Sequence, residues 1–201
     1  MATLWVGLDR GDADQPHLEQ RVLGVLEAFP APATHVCTLL VREGHAHHAA
    51  SLALDLGTAA GGALGSAASL TRVAERFGGA LVALGAAGEP ALELGEEALR
   101  PGARVAAAAL RDGAGGRAIR FPGQEALVGR VRVGDVPSLS AIASLTAIGT
   151  SLSEDRILDT RDHVRPAFAD GALRLMVVPA AGGTVIPHDR PRAHECGACG
   201  H

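Results

Sequence analysis

Large aromatic rings are nearly absent from this chain, and that restricts how its core can be closed. Among 201 residues there are four Phe, one Trp and no Tyr, while hydrophobic residues reach 47% and charged residues only 20%. Such a chain is apolar enough to bury a real core and too apolar for global disorder, but the core has to be built from Ala, Leu and Val. The length suits one domain of ordinary size and hardly two. The same scarcity of rings removes the stacking surfaces that single-stranded nucleic acid needs. A net charge of −4 and a sequence pI near 6.1 offer no broad electrostatic footprint for nucleic acid or for an anionic membrane.

All 18 basic residues are Arg, and Lys does not occur. Chemistry that needs a primary amine from this chain is therefore excluded, including the phosphate-loop lysine and Schiff-base catalysis. Asn is absent too, which removes N-glycosylation acceptors. The first ten residues lack a basic segment and a long apolar stretch, and read as a strand rather than a targeting signal. The small-residue run from Gly57 to Ser69 is bracketed by Asp55 and Arg72, too close together for the ~20 residues that cross a bilayer. Three Cys make no disulfide scaffold, so a cytoplasmic protein is expected.

Hydrophobic spacing predicts a strand over Thr3–Leu8 and a helix whose buried face carries Leu18, Val22, Val25, Leu26 and Phe29. A second strand follows at His35–Val41, then a helix from about His47 to Phe77 with a break near Gly57–Gly62. Ala80–Leu84 reads as a third strand. That alternation predicts an α/β domain with a small, mostly parallel sheet in the N-terminal half. In the C-terminal half, helices are expected at Glu89–Leu99, Pro137–Ile148 and Ser153–Asp159, the last opened by Ser151-x-x-Glu154 in capping-box spacing. Ala103–Leu110 fits either a strand or a helix, with a hairpin turn expected at residues 112–116. Leu127–Val133 reads as a half-exposed strand, and Leu173–Val178 and Thr184–Pro187 as an antiparallel hairpin. The division is a globular domain over residues 1–189 and an irregular Cys/His tail over 190–201.

The tail holds the only dense constellation of reactive side chains. His194, Cys196, Cys199 and His201 combine a C-x-x-C turn with flanking imidazoles, and Gly197 and Gly200 permit a tight loop around an ion. Residues two apart in extended chain face the same way, so His194 faces with Cys196 and His201 with Cys199. Two thiolates and two imidazoles suit Zn²⁺ best, with Ni²⁺ and Cu⁺ as competitors. The segment resembles one knuckle of a zinc ribbon without the second C-x-x-C. A redox dithiol is a rival reading, but that pair usually opens a helix, and none follows here.

A weaker metal candidate is His45, His47 and His48, just past the second strand, with Glu43 placed to hydrogen-bond a ligating imidazole. The rival is a solvated loop. Cys37 reads as a core residue, and His163 among Asp159, Arg161 and Asp162 as a charged helix end rather than a general base. The leading expectation is a cytosolic metal-binding protein whose partner is the ion, with neither nucleic acid nor membrane. One alternative is a metal- or thiol-dependent small-molecule enzyme with a pocket near His45–His48. Another is a non-catalytic homo-oligomer that shares an ion between tails.

Overall fold

The computed structural model describes residues 3–27, 33–42, 44–57 and 66–189. Phe29, Glu43 and every ligand of the tail lie outside them.

Strand β1 (Thr3–Asp12) is followed by helix α1 (Gln15–Glu27), which buries Leu18, Val22, Val25 and Leu26 at the expected helical spacing. Strands β2 (Ala33–Val41) and β3 (His47–Asp55) come next, then helix α2 (Ala67–Phe77) and strands β4 (Ala80–Leu84) and β5 (Pro90–Leu94). Ser66 caps α2 by accepting from the Ser69 N–H, and Gly78 ends it in the left-handed conformation at φ 75°. Helix α3 (Arg100–Asp112) closes this part. The remainder is mainly short strands: β6 (Arg117–Arg120), β7 (Arg130–Arg132), β8 (Ile142–Ala147), β9 (Ile157–Asp159), β10 (Ala167–Ala169), β11 (Ala172–Pro179) and β12 (Val185–Pro187). One turn of helix, α4 (Val136–Leu139), precedes β8.

The expected small, mostly parallel sheet is not what forms. The strands make a 12-stranded sheet in the order β5-β4-β1-β3-β2-β6-β10-β11-β12-β9-β7, with β8 along β11. Its pairings among the described residues are antiparallel except β8 with β11 and β9 with β12. The error lies at residues 47–55. That stretch, expected to begin a helix, is strand β3, which inserts between β1 and β2 and pairs antiparallel with both. Helix α1 does cross over from β1 to β2 and the two strands run in the same direction, but the short turn before His47 returns the chain as a hairpin that fills the place between them.

Helices cover both faces of this half of the sheet. On one face, α1 and α2 enclose Leu4, Val6, Leu8, Ala50, Leu52 and Leu54. On the other, α3 lays Ala103 and Ala107 against Ala80, Val82 and Leu84, and Ala106 against Val41 and Ala49. The small residues let α3 come unusually near β1: a Cβ at Gly7 would overlap the Ala103 carbonyl oxygen and stand 3.0 Å from the Ala107 nitrogen. A separate core under the C-terminal strands gathers Phe121, Ile142, Leu158, Leu173, Leu175 and Val177, with Cys37 at its margin.

Four more expectations fail locally. Glu89–Leu99 is strand β5 and a single 3-10 turn rather than a helix. Pro137–Ile148 is helical only through Leu139 before becoming β8. Ser153–Asp159 is a turn and the strand β9, so the Ser151/Glu154 spacing caps no helix. Residues 112–116 form no hairpin turn: α3 ends there, capped by Gly113 at φ 59°. The hairpin of β11 and β12 around residues 180–184 does form.

Candidate functional site

Turn residues including Gly44, at φ 72°, bring the chain from β2 into β3 and leave His45 exposed. His47 and His48 are successive strand residues and so point to opposite faces. The three imidazoles therefore do not converge. Among the described residues there is no group of three or more His, Cys, Asp or Glu placed to hold a metal ion.

His47 points toward α3, where it meets Asp9. Its Nε2 lies 2.8 Å from Asp9 Oδ2, and its Nδ1 lies 2.7 Å from the carbonyl oxygen of His45. A carbonyl can only accept, so Nδ1 carries a hydrogen, and the second nitrogen shares a proton with the carboxylate. Neither ring nitrogen keeps a lone pair for a metal or for base catalysis. The other Asp9 oxygen, Oδ1, accepts from the Gly11 N–H at 2.8 Å. Gly11, at φ 73°, lies in the bulge that interrupts the β1–β3 register between Asp9 and Asp12. Asp9 is fully buried beneath the first turn of α3, where a Cβ on Gly102 would overlap its Oδ2 and lie 3.1 Å from His47 Nε2. The N-terminal end of a helix is the favourable end for a carboxylate. The pair thus ties β1, β3 and α3 together at one buried point.

On the opposite face His48 looks toward a network of ions. Arg117 of β6 pairs with Glu19 of α1 through one terminal nitrogen and with Asp189 through the other. Arg165, just before β10, approaches the second Glu19 oxygen at 3.7 Å. Glu19 is a buried carboxylate, and its two guanidinium neighbours supply the partners that a buried charged group needs. Close by, Gln15 of α1 donates to the buried Thr38 hydroxyl at 2.7 Å. Burial, reinforced by Arg117, pulls the His48 imidazole below its usual pKa. Burial and then Arg165 do the same to His163. His163 therefore faces this network and not Asp159 or Asp162, the neighbours its sequence position suggested.

These opposed shifts have opposite consequences for stability. Burial alone would lower the His47 pKa, but the His45 carbonyl and the bond and charge of Asp9, with Asp12 beyond, raise it. Its contribution is full below about pH 6.5 and is lost as pH rises through the folded value. His48 and His163, being lowered, contribute above about pH 6.5 and lose that contribution as pH falls. Urea midpoints measured across this range for the wild type and His47→Gln should diverge. The variant should lose the alkaline-side decline and keep the acid-side one. Parallel profiles would contradict the pairing.

Cys37 is buried, with its thiol pushed up to about 12 by burial, so it is no thiolate ligand at neutral pH. Asp9 is the best-enclosed charged residue of the sheet and is not among the candidates read from the sequence. The signal available was its place two residues after Gly7 on the same strand face. Comparison with protein-family models, curated proteins and solved structures finds no match for this chain. No helix among the described residues is long and apolar enough to cross a membrane.

Proposed function

We propose that this is a metal-binding protein that holds a zinc ion at its C-terminal cluster, with His194, Cys196, Cys199 and His201 as ligands. The observation that carries the reading is the density of that cluster: two of the chain's three Cys, interleaved with two His, fall within residues 194–201. Ion pairing at the root of the tail supports it. Asp189, the residue before the tail, is tied to Arg117 on β6, and β6 neighbours β2, which in turn pairs with β3. From that anchor residues 190–201 can reach at most ~40 Å. His48 Nδ1 is buried without a hydrogen-bond partner among the described residues, which makes it the strand imidazole able to enter a shared site. His47 is not, since both its nitrogens are engaged.

Cobalt substitution tests the reading. Co²⁺ added to the full chain should give the intense visible bands and thiolate charge-transfer absorption of a tetrahedral site. Cys196→Ser with Cys199→Ser should abolish both. A weak octahedral spectrum, unchanged in that variant, would contradict the proposal. His48→Ala leaves the spectrum intact if the tail closes on itself and alters it if the strand lends an imidazole.

A further inference from the structure

We propose that a second site, independent of the metal reading, binds a small organic carboxylate in the cavity beside Arg117. The cavity, of about 350 Å³, is bounded by Arg117, Arg165, Arg174, Met176, His188 and Asp189. That volume lies at the lower end of those that accept small molecules, ~300–1,000 Å³.

Three guanidinium groups from β6, the segment before β10, and β11 converge there, in a chain whose net charge is −4. Their compensation is incomplete. Glu19 stands between Arg117 and Arg165, Asp189 takes the outer nitrogen of Arg117, and Arg174 pairs at 2.9 Å with Asp170, which is 81% exposed. A pair so open to water neutralises little. Arg117 Nε is buried with no hydrogen-bond partner among the described residues, and Arg165 Nε is buried too, with only the 3.7 Å approach to Glu19 Oε2, too long for a hydrogen bond. Burial, with Arg117 alongside, holds the Arg165 guanidinium below its usual pKa, although Glu19 and Asp189 pull the other way.

The chemistry of the ligand follows from what already occupies the fork. Asp189 places a carboxylate on Arg117, so the guanidinium geometry accepts that planar group. Three guanidinium groups meet Glu19 and Asp189 there, and the third carboxylate, Asp170, pairs with Arg174 out in the solvent, so at most one charge is left to a ligand, which suits a monocarboxylate better than a dianionic phosphate. Met176, half exposed, and Ala167 supply an apolar wall for a short hydrocarbon body. The ligand's carboxylate would take the position of the Asp189 side chain or lie beside it, between Arg117 and Arg174.

Calorimetric titration of the full chain with hexanoate, and separately with inorganic phosphate, tests the site. The wild type should bind one hexanoate saturably. Arg174→Gln, at a half-exposed position that the fold does not need, should weaken it by about tenfold. Asp189→Asn, which removes the competing carboxylate, should tighten it several-fold, a gain that a folding defect cannot imitate. Absence of saturable binding, or binding that neither substitution changes, would overturn the proposal. Phosphate binding as tightly as hexanoate would overturn its assignment to a carboxylate.

Discussion

Replacing Gly7 by alanine should cost about 3 kcal/mol of stability, while the same change at Gly24 should gain about 0.5–1 kcal/mol. The contrast is one of place. At Gly7 the added methyl would overlap the Ala103 carbonyl oxygen, a main-chain atom of α3 that can yield only if the whole helix retreats from β1. That retreat would also loosen Ala103 and Ala107 from Ala80 and Val82, where both partners are already too small to refill a gap. Gly24 lies within α1, and a Cβ there meets nothing within 4 Å, so alanine simply lowers the conformational freedom of the unfolded chain. Chemical denaturation of the two variants against wild type measures both signs at once. Equal and small effects would mean that α3 does not press on β1 as described.

Asp9→Ala should be the more damaging substitution, at about 3–5 kcal/mol, a fall in Tm on the order of 10 °C. The carboxylate is fully buried, and its removal leaves the Gly11 N–H and His47 Nε2 without their partner beneath α3. His47→Ala should also destabilise, because it leaves the buried Asp9 charge without its cation. The double variant should lose clearly less than the sum of the two, since neither residue then abandons a partner. Strict additivity in that cycle would show that the 2.8 Å contact does not couple them.

Where burial is one-sided, the sequence pattern was readable. The apolar face of α1, the second half of the 47–77 segment as α2 and the final hairpin appear where periodicity and turn residues put them; β4, buried on both faces, was readable because its five apolar residues follow directly on Gly78 and Gly79 and are too few for a helix. β3 was not readable as a strand for a physical reason. Ala49–Leu54 is buried on both faces, under α1 on one side and α3 on the other, so no alternation marks it. Ala and Leu are also strong helix formers, and tertiary pairing with β1 and β2 overrode that preference. That one misreading turned a mostly antiparallel sheet into an expected parallel one. β5 misled in a different way: Pro90, a plausible first residue of a helix, opens an edge strand, where its missing N–H costs nothing. The ion network stayed hidden because Glu19, Arg117, Arg165 and Asp189 come from four distant segments, and only the register of β2, β6 and β10 brings them together.

Zinc titration of the full, untagged chain near neutral pH decides whether the tail holds the ion. One Zn²⁺ should bind per C-terminal cluster and be released steeply as pH falls below neutrality, because the thiols must be ionised to bind. Cys196→Ser should lower the affinity by at least about a hundredfold, roughly 2.7 kcal/mol, without moving the unfolding midpoint of the metal-free protein. No uptake of zinc by the wild-type chain, or uptake that Cys196→Ser leaves unchanged, would contradict a site in the tail.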